Sequence, residues 1–338
     1  MLLNYGADAA ARDSNGQTPL HRASCGIHDP GEGHHIAQLL LERGMDVDAR
    51  DKNQEMPLHC ASQNWTLGAA EVLLEYGANV NAENAQGWTP LHVASAQLSF
   101  NGSGVTFVHI LLKQGADMNA RDRDQATPLH FASCGLESVI AQVLVENGTQ
   151  VNAVNIQGWN ALHLMLAQAN AKVKIAELLM SWGVDINARD TEERTPLHLA
   201  AYYGYVEIAE LLLDHGTQVD VEDIWGQTPL HCVLLGTHHS QSSHPQGYFR
   251  TEYLGQFVLL ALRLLEHGVD MNAQNKDHET PLHLASRLRL LEMAQLLLQL
   301  GADVNVKNAE GKAPLQVATR RKGKAMRRLL LGYFAGQV

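Results

Sequence analysis

The feature that most constrains this chain is a short segment that recurs along it with a base spacing of 33 residues. Nine segments, such as QTPLH, WTPLH and RTPLH, share a leucine in the same position, and the gaps between successive leucines are 38, 33, 38, 33, 35, 33, 52 and 33 residues. A period of this size predicts a stack of small similar units. The nine leucines are Leu20, Leu58, Leu91, Leu129, Leu162, Leu197, Leu230, Leu282 and Leu315.

Each unit has the composition of two short helices joined by turns. Threonine is a good N-cap, and proline suits the first helical position, where a backbone N–H is not needed. A short apolar helix follows, as over 197–201, and a second helix with apolar residues at helical spacing follows that, as over 206–214. Glycine then ends the second helix, as Gly216 does. One such pair cannot bury both apolar faces, so each unit must stack on its neighbours.

These segments resemble the ankyrin repeat, whose T-P-L-H signature and 33-residue period they share. The resemblance covers nearly the whole chain. It implies an all-α repeat fold, a solenoid of helix pairs with short β-hairpin fingers, in which the fingers and the inner helices line a concave groove. It also implies a scaffold that binds another protein, since that is what members of the family mostly do.

The period predicts that residues 1–338 form a single solenoid. Residues 1–12 correspond to a partial first repeat, residues 236–255 to an inserted loop, and residues 309–338 to a C-terminal capping repeat. Full repeats are expected to begin near residues 13, 51, 84, 122, 155, 190, 223, 275 and 308.

A second period of two repeats lies within the first. The fingers of odd-numbered repeats carry glycine, as in NAQGW, whereas those of even-numbered repeats place another residue there. The odd repeats also carry the insertions between their two helices. Duplication of a two-repeat block is the simplest origin. The residues at the glycine position of even fingers are Gln54, Gln125, Glu193 and His278.

Aromatic and large apolar residues in the fingers and at the end of one inner helix are the candidate partner contacts, because exposed Trp and Tyr are typical interface anchors. An alternative for the tryptophans is that each ring packs on the adjacent finger. The candidates are Trp88, Ile156, Trp159, Tyr202, Tyr203, Ile224 and Trp225.

The insertion in the seventh repeat has a polar half rich in Ser and His and an aromatic half. It is interpreted as a solvated loop or a partner-contacting loop. A metal site at His238, His239 and His244 is the weakest alternative, because the segment offers no Cys and only Glu252 as a carboxylate. A small-molecule pocket or an active site beneath the loop is a further alternative. Its walls would be Tyr202, Trp225, Tyr248, Phe249 and Tyr253.

Eight of the 18 histidines occupy the repeat position, and the resemblance implies that they form structural hydrogen bonds between neighbouring units. The recurring aspartates at finger starts are expected to support turns. The sequence contains no GxGxxG, Walker A, HExxH or GxSxG motif. We therefore expect no catalytic residues, no metal and no cofactor.

The charge and the cysteine content limit which class of partner and which cell compartment we expect. The net charge is −11, and the first 310 residues hold 18 basic against 36 acidic side chains, which disfavours nucleic acid and favours a protein partner with a basic or mixed surface. Four cysteines without a CxxC pair, no apolar segment of membrane-spanning length and no signal peptide indicate a cytoplasmic or nuclear protein that does not enter a membrane. We expect a monomer, although an incomplete first repeat leaves end-to-end pairing open.

The basic C-terminal residues are interpreted as the polar face of a capping repeat, with a nuclear-targeting or acidic-partner patch as the alternative. The sequence thus predicts a non-catalytic scaffold or adaptor. An enzyme or small-molecule binder, and an adaptor fragment of a larger multidomain protein, are the other hypotheses. The basic residues concerned are Arg320, Arg321, Lys322, Lys324, Arg327 and Arg328.

Overall fold

The computed structural model describes residues 10–26, 30–97, 103–135, 139–168, 171–243, 250–318 and 323–336. Within these ranges the chain forms short helices joined by turns, and no residue is in a β-strand. The residues group into two compact units, Met1–Ile156 with Ser181–Val184, and Gln157–Met180 with Asp185–Val338. The predicted all-α repeat architecture is therefore confirmed.

The first unit contains four helix pairs. They are α1 (Pro19–Ser24), α2 (Pro30–Glu42), α3 (Pro57–Asn64), α4 (Leu67–Glu75), α5 (Pro90–Ala96), α6 (Ser103–Lys113), α7 (Pro128–Ala132) and α8 (Val139–Glu146). Odd-numbered helices are the inner ones and pack on one another in chain order, α1 on α3, α3 on α5 and α5 on α7. The outer helices pack in the same way, α2 on α4, α4 on α6 and α6 on α8.

The second unit repeats this arrangement with five pairs. They are α9 (Ala161–Leu166), α10 (Val173–Ser181), α11 (Pro196–Tyr203), α12 (Val206–Asp214), α13 (Pro229–Ser243), α14 (Arg250–Glu266), α15 (Pro281–Leu288), α16 (Leu291–Gln299), α17 (Pro314–Val317) and α18 (Lys324–Gly336). Inner helices again contact inner helices from α9 to α17, and outer helices contact outer ones from α12 to α18.

The core of each unit is a row of apolar side chains supplied once per repeat. Repeat leucines such as Leu20, Leu91, Leu162 and Leu230 have no exposed surface. Full burial of a leucine stabilises a fold by about 1.5–3 kcal/mol relative to exposure. Because the rows continue from one helix pair to the next, each pair depends on its neighbours for stability.

The fifth repeat departs from the Thr-Pro start that six of the other inner helices share. Asn160 is the N-cap of α9, and its Oδ1 accepts a hydrogen bond from the backbone N–H of His163 at 3.1 Å. Ala161 follows at the first helical position, where six other inner helices have proline after threonine. The backbone at Asn160 is extended, with φ −84° and ψ 179°, and a residue in that conformation can precede proline.

We expect the substitution Ala161→Pro to raise the free energy of unfolding by about 0.5–1 kcal/mol, because proline restricts the unfolded chain at a site whose native φ it already adopts. Urea denaturation measures the change. The reverse substitution in the next repeat, Pro196→Ala, is the control and should lower stability by a similar amount. A lower stability of Ala161→Pro would contradict the expected fit of proline at this position.

The predicted fingers are tight turns without β-strands in the described residues. Each turn begins with Asp or Asn, whose Oδ1 accepts two backbone N–H groups, as Asp122 does from Asp124 and Ala126. Adjacent turns are linked by single backbone hydrogen bonds, for example from Arg123 N to Gln86 O at 3.1 Å. One hydrogen bond per pair of fingers is too few to form a β-ladder, so the predicted β-hairpins are not formed in the described residues.

Odd and even fingers share one backbone conformation. Glycine in odd fingers has positive φ, 72° at Gly226, and the residues aligned with it in even fingers are also left-handed, with φ 60° at Gln125 and 61° at Glu193. A Cβ on Gly226 would lie 2.8 Å from the backbone nitrogen of Lys276 in the next finger. The odd fingers therefore need glycine for a close approach as well as for their φ angle.

The inserted loop predicted over 236–255 is largely helical. Helix α13 continues to Ser243, and α14 begins at Arg250, so only residues 244–249 between them lie outside the described ranges. Gly236 and Thr237 are buried, so the start of the insertion packs against the rest of the protein. His238 is the first exposed residue after them. Of the predicted basic patch, Lys324, Arg327 and Arg328 lie on α18, whereas residues 319–322, like residues 1–9 of the partial repeat, are outside the described ranges.

Candidate protein-binding surface

Within each unit the repeat histidines link one finger to the next. In the first repeat the backbone N–H of Thr18 donates to Nδ1 of His21 at 3.1 Å. Since an N–H can only donate, Nδ1 accepts and the hydrogen is on Nε2, which donates to the carbonyl of Glu55 at 3.0 Å. The same pair of bonds recurs from His59 to Trp88 O, from His92 to Ala126 O and from His198 to Gln227 O.

Burial holds these rings neutral. It lowers the pKa of four of them to about 4, because a charged imidazolium would lose its hydration inside the stack. The pKa of three others is also lowered, again chiefly by burial. The four are His59, His163, His198 and His231, and the three are His21, His92 and His283. Histidines that are neutral and bonded on both nitrogens orient the fingers.

Two of the three candidate tryptophans are held by the next finger. The indole Nε1 of Trp88 donates to Oδ2 of Asp122 at 3.0 Å, and its ring packs at 4.7 Å between centroids on Phe131. Trp159 donates in the same way to Oδ2 of Asp190 at 3.0 Å. Both are half-buried, so each has a structural contact in addition to any partner contact.

The third tryptophan has a different position. Trp88 and Trp159 follow the finger glycine, whereas Trp225 precedes Gly226 and has 50% of its surface exposed. The position of the tryptophan relative to the finger glycine is the sequence signal that distinguishes the hydrogen-bonded tryptophans from the exposed one. Ile156 and Ile224, at the second position of their fingers, are 53% and 38% exposed. The odd fingers thus present apolar side chains to solvent from turns that hydrogen bonds hold in place.

The predicted tyrosines lie at the end of α11 in the second unit. Tyr203 is 42% exposed, and its ring meets that of Tyr202 edge to face at 5.2 Å between centroids. Together with Trp225 they border a cleft of about 370 Å³, so two of the five residues expected to wall a pocket beneath the insertion, Tyr202 and Trp225, do line one. The other residues that line it are Arg194, His198, Leu199, Asp223, Gln227, Cys232 and Leu235.

The other residues expected around a pocket or a metal are not brought together in the described part of the chain. His244, Tyr248 and Phe249 lie outside the described residues, as do the side chains of Glu252 and Tyr253. Among the side chains that are described, no group of three His, Cys, Asp or Glu is placed to hold a metal ion. Within the same ranges no helix has the length and apolar character that crossing a bilayer requires.

Comparisons with known proteins identify the repeat. The family described as "Ankyrin repeats (3 copies)" matches residues 29–122, 96–190 and 164–240, and "Ankyrin repeats (many copies)" matches residues 264–318. Among solved structures, the crystal structure of the human ASB11 ankyrin repeat domain is 27% identical in sequence, with a TM-score of 0.57. That similarity covers 73% of this chain and 98% of the other. A search of curated proteins gave no match.

The matched segments extend over well more than half of the chain, and they coincide with the helix pairs, the finger turns and the histidine links described above. Ankyrin repeats are generally modules of protein–protein interaction. This chain belongs to the ankyrin-repeat family.

Proposed function

We propose that the chain is a non-catalytic scaffold or adaptor that binds a partner protein through its finger turns and the exposed ends of its inner helices. The observation that carries the proposal is the exposure of Ile156, Ile224 and Trp225 on turns of fixed conformation. A rigid apolar side chain loses little conformational entropy on binding, so such positions are efficient anchors. Tyr202 and Tyr203 are further candidate contacts in the second unit, and the exposed parts of the rings of Trp88 in the first unit and Trp159 in the second would also contribute.

Two further features support a binding rather than a catalytic role. The repeat histidines, which would otherwise be acid–base candidates, have low pKa values and their ring nitrogens engaged. Four free cysteines, Cys25, Cys60, Cys134 and Cys232, are half-buried or buried, and burial raises the pKa of the Cys134 thiol to about 12, which makes it a weak nucleophile. Unpaired thiols also suit the cytoplasmic or nuclear location and the monomeric state that we propose.

The test is quantitative capture of partners from the source cell by the chain and by two variants, Ile156→Ser and Ile224→Ser. A hot-spot anchor contributes about 1–2 kcal/mol or more, so we expect loss of about tenfold or more in affinity for a specific partner with at least one variant. Mass spectrometry identifies the partner, and titration with the purified partner measures the affinity.

The matched controls are Leu39→Ser on α2 and Leu259→Ser on α14, which remove equally exposed apolar side chains from outer helices. These should leave the affinity unchanged. Equal losses in the controls and in the finger variants would show that the fingers have no special role. Absence of any specific partner, together with binding of a metabolite, would favour the small-molecule alternative.

A further inference from the structure

The aspartate that opens the seventh finger lacks a contact that the aspartates opening the fourth and sixth fingers make. Trp88 and Trp159 each donate from the fifth position of a finger to Oδ2 of the aspartate that opens the next one. The fifth residue of the sixth finger is Arg194, and its guanidinium turns back to Asp190 of its own finger at 2.8 Å. Asp223, which opens the seventh finger, therefore lacks the donor that its counterparts have.

The side-chain hydrogen bonds of Asp223 all involve one carboxylate oxygen. Its Oδ1 accepts the backbone N–H groups of Trp225 and Gln227, both at 2.8 Å, and Oδ2 accepts none from the described part of the chain. The residue is only 7% exposed, and burial raises the pKa of this carboxyl group. A buried carboxylate is stabilised when a cation reaches its second oxygen.

A second acceptor in the same cleft is also without a donor. Oε1 of Gln227 is buried and has no hydrogen-bond partner among the described residues. Such a group costs about 1–3 kcal/mol when it is left unsatisfied. Its oxygen has almost no accessible surface, so it adds negative potential to the wall of the cleft and is not itself a contact that a ligand reaches. Both residues line the cleft that Tyr202 and Trp225 border.

The charges around the cleft favour a cation. Arg194 is paired with Asp190 and with Glu192, each at 2.8 Å, so its own charge is compensated. With Asp223, three carboxylates surround this one guanidinium, and the cluster keeps a net negative charge. The aromatic faces of Trp225 and Tyr202 add the negative quadrupole potential that attracts cations.

We propose that this cleft binds the side chain of an arginine in a partner protein, a hypothesis that rests on the proposed scaffold function. A guanidinium presents five N–H donors in a plane, which can donate to Oδ2 of Asp223 while the plane stacks on an aromatic ring. Lysine has a compact, strongly hydrated charge and cannot donate to the carboxylate through a planar group that also stacks on the ring. The excess of acidic residues in the first 310 residues would also attract a basic segment.

The test titrates the full chain with N-acetyl-arginine methylamide and follows the tryptophan fluorescence and the indole N–H signals by NMR. One charged anchor corresponds to a dissociation constant on the order of 1 mM. The neutral isostere N-acetyl-citrulline methylamide should bind at least about tenfold more weakly, because it lacks the charge. No saturable response to arginine, or equal binding of citrulline or of the lysine analogue, would overturn the proposal.

Two variants link the response to the cleft. Asp223→Asn removes the charge but keeps the turn, because the chain itself uses Asn84 and Asn275 at this position with the same two backbone bonds. We expect at least about a tenfold loss of arginine affinity with unchanged circular dichroism. The control Glu222→Gln removes an equal charge from an exposed neighbour that does not line the cleft and should change affinity less than about twofold.

Equal effects of Asp223→Asn and Glu222→Gln would overturn the assignment to this cleft. The outcome is separable from that of the proposed function, because the probe is a single amino-acid derivative and requires no partner. A chain that loses partner capture with Ile156→Ser or Ile224→Ser but does not bind arginine would keep the scaffold function and lose this inference.

Discussion

Acidification from pH 7 to pH 5 is expected to destabilise the folded chain by several kcal/mol, because the repeat histidines are neutral in the stack and become charged on unfolding. Four of them have pKa values near 4 in the folded chain, against 6.5 for an unperturbed ring. Between these values the unfolded chain binds more protons than the folded one. Stability is therefore fully present above pH 6.5 and is lost as the pH falls toward 4.

The size of the effect follows from the two pKa values. At pH 5 a single ring with this shift lowers the free energy of unfolding by about 2 kcal/mol. The four contributions and the smaller ones from His21, His92 and His283 have the same sign. Glu55 and Asp223 oppose them, because burial raises the pKa of both carboxyl groups, but these are only two groups. The sum is comparable to the entire stability of a typical domain.

Urea denaturation at a series of pH values measures this dependence. The control is His198→Gln, a substitution that already has a counterpart in the ninth repeat. There Oε1 of Gln316 accepts the backbone N–H of Ala313 at 2.8 Å and so replaces Nδ1 of a histidine. This variant should take up about one proton fewer on unfolding near pH 5. A stability that stays constant between pH 7 and pH 5 would show that the rings are not held neutral as the structure indicates.

The fold could be predicted from the sequence because local signals mark the beginning and the end of each repeat. The proline start, the apolar spacing and the closing glycine are local signals, and their recurrence in most of the nine repeats places the helix pairs independently of any long-range contact. The left-handed residues Gln125 and Glu193 were also predictable by alignment with Gly87 and Gly158 of odd fingers. Non-glycine residues in that conformation are uncommon, so only the repeat reveals them.

The candidate surface was predictable only in part. That Ile156, Ile224 and Trp225 occupy finger turns follows from the period, and their exposure follows from their positions in the turn. Whether the indole N–H of Trp88 has a partner depends on the residue 34 positions later, Asp122, and the same contact fails at Asp223 because Arg194 turns away. The lack of a donor on Oδ2 of Asp223 results from that difference between repeats, which no single motif shows.

The seventh repeat was the least predictable part. Its Ser- and His-rich composition indicates a loop, whereas α13 continues through the first half of the insertion. Buried contacts with α11 and α14 determine this outcome, and composition does not report them. Gly236, which local reasoning assigns to the start of a loop, lies instead inside a helix at a point of close approach.

Replacement of that glycine, Gly236→Ala, is expected to lower the free energy of unfolding by about 3 kcal/mol or more. A methyl group there would overlap the backbone carbonyl oxygen of Tyr202 and lie 3.0 Å from a ring carbon of Phe257. The carbonyl belongs to α11 and cannot move without shifting the helix, and Phe257 is itself buried. Since Tyr202 borders the cleft, the same variant should also weaken arginine binding.

The matched substitution is Gly255→Ala in α14, where an added methyl group meets no atom within 4 Å. Alanine is favoured over glycine in a helix interior by about 1 kcal/mol, so this variant should become more stable. Denaturant unfolding of both variants compares the two signs directly. If Gly236→Ala were as stable as the parent chain, α11 and α13 could not pack as closely as described, and the wall of the cleft that contains Tyr202 would need a different position.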